Sequence, residues 1–235
     1  MPRAQRTEAE TRALVTEAVV RHVSRHGIDV APELHMEQIL KDAGVSRASA
    51  YRLWPGRSAF SAFALEQCAA GHAIGTLDAT RARALAEDVV ATEQDRLVSA
   101  GRFVAKAADE ELSILLQSDR WRAFVAFQAV AVQIQRPEIA ELLDRIDQED
   151  VARLATVYRT VAEAWGLELA DGFSIESVAS AALLMVRSTV ARSLEEDVTA
   201  QARSTYLAAL EALVRGAFLA VPGGRIELDR IGPVG

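Results

Sequence analysis

The 235-residue chain has one cysteine, Cys68, so it can form no internal disulfide and no cysteine cluster for a metal. Aromatic residues are few: three Trp, three Tyr and seven Phe. No apolar run reaches membrane-spanning length, and the opening MPRAQRTEAETR has no apolar signal region. These absences lead us to expect a cytoplasmic protein with no membrane partner. Motifs for catalysis are also missing. There is no Gly-rich phosphate loop, no GxSxG, no Cys-His pairing and no metal-ligand spacing of the HExxH kind. Acidic pairs such as Glu110–Glu111 and Glu195–Glu196 are adjacent, and on a helix they point about 100° apart, which suits solvated charges better than acid–base partners. His22 and His26 are four apart and share a helix face, with His35 nearby in sequence; surface histidines are the simpler reading than a metal pair. No enzyme, no metal and no cofactor are expected.

What is present is apolar and helical. Half of the residues are apolar, enough for a sizeable core without staples. Pro and Gly fall between periodic segments, and no strand pairs announce themselves. The charge is uneven. Residues 1–60 carry nine Lys/Arg against seven Asp/Glu, and residues 61–235 carry seventeen against twenty-six, within an overall charge of −7. Such asymmetry suggests an end that faces nucleic acid and a body with another task.

The densest signal is Met36–Phe60, MEQILKDAGVSRASAYRLWPGRSAF. Ile39, Leu40 and Ala43 recur at helical spacing, and Gly44 stands where a helix end needs φ > 0. Val45 fills the turn, Ser46 caps the next helix, and Pro55 stops it. This is a helix-turn-helix, whose second helix enters the major groove of DNA. The chain resembles the DNA-binding region of the TetR (tetracycline-repressor) family of transcriptional regulators over roughly residues 10–60. The resemblance rests on AGVS at 43–46, Tyr51 late in the recognition helix, the bulky Trp54 after it, and the basic Arg57 opening the next helix. It departs from the family pattern at His35, where Ser or Thr is usual, at the acidic Glu37, and at Leu53.

The expected architecture is all-α. A three-helix DNA-binding domain over 1–56 precedes a larger helical effector-binding and dimerisation domain over 57–220, and an extended tail covers 221–235. The periodicity predicts helices over 7–26, 36–43, 46–53, 57–75, 79–107, 109–117, 119–135, 137–166, 174–194 and 199–220, with Leu14, Ala18, Val19 and Val23 forming the buried stripe of the first. The helices 174–194 and 199–220 are apolar or small around most of their circumference, so each must be covered on all sides. They serve either the centre of a large monomer or a dimer interface. The resemblance implies the second, a four-helix bundle, with Ala179, Ala182 and Ser188 permitting close approach and Ala182 taken to point outward.

Candidate DNA contacts follow from reach and position. Arg47 can bind guanine bidentately or a phosphate, Ala48 can touch a thymine methyl, and Ser46 and Ser49 offer hydroxyls. By resemblance Tyr51 gives its hydroxyl to a phosphate. Arg52 has the reach for base or phosphate; Arg57 stands at a helix N-terminus, and His35 opens the first helix of the motif. Arg3 and Arg6 could form a minor-groove arm, although an unstructured terminus is the simpler reading. For a small-molecule effector the candidates are Trp121, Phe124, Phe127 and Gln128 on one helix, with Phe103, Cys68 and Tyr158 on others; ordinary core is the bland alternative. The resulting expectation is a homodimeric repressor that binds a near-palindromic operator in double-stranded DNA and is released by a small ligand. The alternative is a protein of the same shape governed by a protein partner, or one that has lost DNA binding.

Overall fold

The computed structural model describes residues 6–28, 35–70, 72–131, 137–192 and 199–231. Among these, ten α-helices occur, with one short antiparallel strand pair and a terminal 3-10 turn. The chain forms two compact units, one from residues 1–72 and 118–144, the other from 73–117 and 145–235. The division differs from a simple cut at residue 56, because the chain leaves the first unit and returns to it.

The first unit opens with α1, Glu8–His26. Thr7 and Glu10 form a reciprocal capping box, and this hydrogen bonding holds the Glu10 carboxyl below its ordinary pKa. Val15, Ala18, Val19, Val20 and Val23 face inward, whereas Leu14 is exposed, one position off the expected stripe. Next come α2 (Met36–Asp42), α3 (Arg47–Leu53) and α4 (Arg57–Ala69), the last shorter than expected. The fifth helix of this unit in space, α7 (Asp119–Ala131), packs on α1 and α4. Ser24 on α1 donates to Asp119 at 2.7 Å, and Thr16 on α1 donates to Gln67 on α4 at 2.9 Å. Cys68 is buried here, and burial pushes its thiol up to about 12, which leaves it un-ionised and unreactive at neutral pH.

The second unit contains α5 (Ala79–Thr92), α6 (Arg96–Gln117), most of α8 (Pro137–Trp165), α9 (Ile175–Arg192) and α10 (Ala200–Ala217). The break between α5 and α6 lies at residues 93–95, not near 108. Asp95 accepts from the amides of Leu97 and Val98 and so starts a helix where no Gly or Pro marks one. Asp109 and Glu110, which resemble a helix start, sit inside α6 because Arg203 and Arg81 hold them from neighbouring helices. The expected extensions of α7 to residue 135 and of α9 to residue 194 run beyond the described residues.

Helix α10 stops at Ala217, and Phe218–Ala220 pairs as a strand with Leu167–Leu169. Three-residue strands are too short to show alternation in sequence. Gly166 makes the turn out of α8 at φ 59°, with the Arg96 guanidinium pressed against it; an added Cβ would lie 2.7 Å from that group. Arg96 donates to the carbonyls of Gly166, at 2.8 Å, and Val221, at 2.5 Å. The segment beyond is therefore tied down rather than a free appendage. The Glu227 amide donates to the Ala164 carbonyl at 2.7 Å, a 3-10 turn forms over Leu228–Arg230, and Ile231 is buried.

Candidate nucleic-acid interface and effector cavity

The first site is built by the α2–α3 turn. Gly44 takes φ 62°, and the Val45 amide donates to the Leu40 carbonyl at 2.9 Å, closing the end of α2. The Ser46 hydroxyl then accepts from the Ser49 amide at 3.2 Å and starts α3. Arg6 donates to the Gly44 carbonyl at 2.8 Å, so its guanidinium is engaged with the turn instead of extending as an arm; Arg3 lies outside the described residues. Ala50 is fully buried, which fixes how α3 is rotated about its axis. Behind it, Trp54 is buried against Phe60 and Phe63, with ring centroids 5.6 and 4.6 Å away, and the Arg12 guanidinium stands 5.6 Å from the Trp54 ring.

With Ala50 inward, Ser46, Arg47, Ala48, Tyr51 and Arg52 are exposed together, and Ser49 is half-buried beside them. Tyr51 is 49% exposed, so its ring is not a core ring. Arg52 leans on the Ser49 hydroxyl at 3.4 Å. Arg57 is exposed at the first turn of α4. His35 precedes α2 without capping it through its side chain, and its ring lies 6.2 Å from that of His22. His22 and His26 rings are 5.0 Å apart, yet among the described residues no group of three or more His, Cys, Asp or Glu could hold a metal ion. One feature is unhelpful to phosphate binding: Glu37 on α2 forms an ion pair with Arg47 at 2.6 Å, both side chains being well exposed.

The second site lies wholly in the second unit. A cavity of about 130 Å³ is lined by α5, α6, α8, α9 and α10, by the loop at 74–77 and by Ile231 of the tail. Of the candidate effector residues, Phe103 and Tyr158 line it. Trp121, Phe124, Phe127 and Gln128 do not; they belong to the first unit. The first three are almost wholly buried there, Phe124 stacks on His72 at 3.8 Å, and Trp121 stands edge-on to Phe124. The aromatic cluster of α7 is core at helical spacing, because α7 packs on α1 and α4.

Sequence reading missed the cavity's polar groups Glu111 and Tyr206 and the loop at 75–77. Glu111 is buried and accepts from the Thr76 amide and hydroxyl at 3.1–3.2 Å, with the Gly75 and Leu77 amides adding to the carboxylate's support. Burial raises its pKa, and these donors only partly offset the shift. Burial likewise raises Tyr158 and Tyr206, with the charge of Glu111 also opposing ionisation of Tyr206. Ala182, taken to point outward, is buried and lines the cavity. The only advance hint was that two tyrosines and a glutamate recur on otherwise apolar helix faces.

Comparison with solved structures places this fold. A protein from Pseudomonas aeruginosa PAO1 described as a transcriptional regulator superposes with a TM-score of 0.55 at 24% identity, covering 92% of this chain and 94% of that one. A TetR-family transcriptional regulator from Streptomyces coelicolor gives 0.53 at 17% identity over 88% and 95% of the two chains. A protein from Rhodococcus sp. described as a TetR-family transcriptional regulator gives 0.53 at 21% identity over 87% and 99%. No family sequence profile matches the chain, and no curated protein matches it in sequence. The shared property is the all-α fold of TetR-family regulators.

Proposed function

We propose that this chain is a DNA-binding transcriptional regulator of the TetR type, acting as a homodimer and released from its operator by a small ligand. The observation that carries this reading is the exposed face of α3, where Ser46, Arg47, Ala48, Tyr51 and Arg52 stand together over a turn fixed by Gly44 and Ser46. Such a helix presents its early residues to base edges, while Tyr51 and Arg57 suit phosphates. The dimer rests on what α9 and α10 leave uncovered. Leu184 on α9 is 69% exposed, on the same face as the exposed small residues Ser188 and Ala191, and Ala208, Ala212 and Gly216 are exposed along α10. A face of this kind favours close helix approach by a second copy. Release follows from linkage: a ligand that binds the DNA-incompetent state more tightly lowers DNA affinity, and DNA lowers ligand affinity by the same factor.

The test is selection of bound fragments from the source genome with the purified protein, followed by titration of variants on the selected site. Arg47→Ala and Arg52→Ala should each cost about 1–3 kcal/mol and relax specificity at one position. Arg57→Ala should weaken all sequences alike and reduce the salt slope by about one. If no fragment is enriched and the variants bind as wild type does, the regulator reading fails. The Glu37–Arg47 pair favours a second reading, in which the same shape is governed by a protein partner; wild type without salt-dependent DNA affinity is the result that would select it.

A further inference from the structure

The cavity of the second unit carries a definite chemistry. Its volume of about 130 Å³ is close to the roughly 150 Å³ of a dry apolar cavity that holds benzene, so its occupant is about the size of one substituted ring. The lining includes no Lys, Arg or His, which leaves an anion without a counter-charge. It does include Glu111, which as a carboxylate would repel an anion further and as a neutral acid offers it no counter-charge. Both Glu111 oxygens accept from the Thr76 amide and hydroxyl at 3.1–3.2 Å, and the neighbouring Gly75 and Leu77 amides also favour the carboxylate. Glu111 therefore ties down the 75–77 loop, with both of its oxygens already engaged there.

The tyrosines are in the opposite condition. Tyr158 is 3% and Tyr206 8% exposed, both line the cavity, and neither hydroxyl has a hydrogen-bond partner among the described residues. A buried phenol normally finds a partner, because leaving the donor unmade is costly. Here the space where a partner would stand is the cavity itself.

The geometry points to a ligand that is uncharged, about one ring in size, and equipped with a hydrogen-bond acceptor of the carbonyl type, which the Tyr158 and Tyr206 hydroxyls address. This rests on the proposed release by a small ligand, with this cavity taken as the ligand's site, and it names the chemical class that site takes. The hydroxyls donate, and the apolar walls from Phe103, Val157, Val186 and Leu210, with Ile231 of the tail, flank the ring.

Four probes of similar size separate the possibilities on the full-length protein: acetophenone, ethylbenzene, benzoate and benzylammonium, titrated by calorimetry. Acetophenone should bind about 3–10-fold more tightly than ethylbenzene, the range expected for one net hydrogen bond. Both ions should bind at least roughly tenfold more weakly than acetophenone. Tyr158→Phe or Tyr206→Phe should remove the preference for acetophenone while leaving ethylbenzene unchanged, a split that a merely structural hydroxyl would not produce. Tightest binding by either ion, binding by none of the four, or an unchanged preference in both Phe variants would overturn the proposal. A mobility shift with and without acetophenone is read separately. Binding without any change in DNA affinity upholds the ligand class and refutes release by ligand; lost DNA binding in the absence of any probe refutes the regulator and leaves the calorimetry standing.

Discussion

Replacing Glu37 by Gln should strengthen DNA binding. Glu37 and Arg47 pair at 2.6 Å with side chains 63% and 69% exposed. A pair so exposed contributes about 0.2–1 kcal/mol. For Arg47 to reach a base or phosphate, that contact must break or a carboxylate must travel with it towards the phosphates. The second effect is also small. A unit charge about 8 Å from a phosphate in water is repelled by about 0.5 kcal/mol, and screening at physiological salt reduces this to roughly 0.2. Either route therefore costs about 0.2–1 kcal/mol for each reading head, or roughly 1.4–5-fold, and roughly 2–30-fold if two heads act independently on one site. The measurement is a titration of the selected operator by fluorescence anisotropy at fixed salt. A double-mutant cycle isolates the pair: in an Arg47→Ala background most of the gain from Glu37→Gln should vanish. Weaker binding by Glu37→Gln would refute the reasoning, since it would mean that Glu37 holds Arg47 in its DNA-binding position.

Other expectations follow from single features. Gly44→Ala places a residue with a side chain at φ 62°, although a Cβ there would meet nothing within 4 Å, so the cost is one of backbone alone. About 1–2 kcal/mol is expected, read as a thermal midpoint lowered by roughly 2–8 °C; an unchanged midpoint would mean that the turn does not hold this conformation. Leu184→Glu should convert a dimer into a folded monomer with unchanged helicity, because Leu184 is 69% exposed on a single chain and buries little there. Sedimentation of the wild type as a monomer would remove the dimer and the palindromic operator together. Glu111 supplies a pH dependence. Its folded pKa lies above its ordinary value, so between that value, about 4.5, and the raised one the folded state holds more protons than the unfolded. Its contribution to stability is complete below that window and falls as pH rises through it. The stability difference between wild type and Glu111→Leu should therefore shift against wild type from pH 4.5 upward; a pH-independent difference would show that Glu111 titrates normally.

Much of the local structure was legible in the residues alone. Ile39, Leu40, Gly44, Ser46 and Pro55 specify a helix-turn-helix because each meets a requirement that only one or a few residue types satisfy: an apolar face, a positive φ, a cap, a stop. Gly166 and Thr199 mark their boundaries for the same reason. Where a boundary depended on an ordinary acidic residue, reading by pattern failed. Asp95 starts a helix and Asp109 does not, and the difference is the partner: Asp95 caps its own chain, whereas Asp109 meets Arg203 from a distant helix.

The rest was decided by tertiary packing. A periodic apolar face says that a helix is covered but not by what. The same pattern fits Phe124, which stacks on His72 in a solid core, and Phe103, which faces a cavity. Which aromatic ring meets empty space depends on how five helices and a returning tail fail to close, and that gap has no representation in any one segment. The strand pair at 167–169 and 218–220 is invisible for a related reason, since its pairing joins segments far apart in sequence and leaves no period in either. Helix type, turn and cap were properties of the sequence. The cavity, its two tyrosine hydroxyls and the place of Ile231 in its lining exist only because separate segments were brought together, and their chemistry belongs to that meeting.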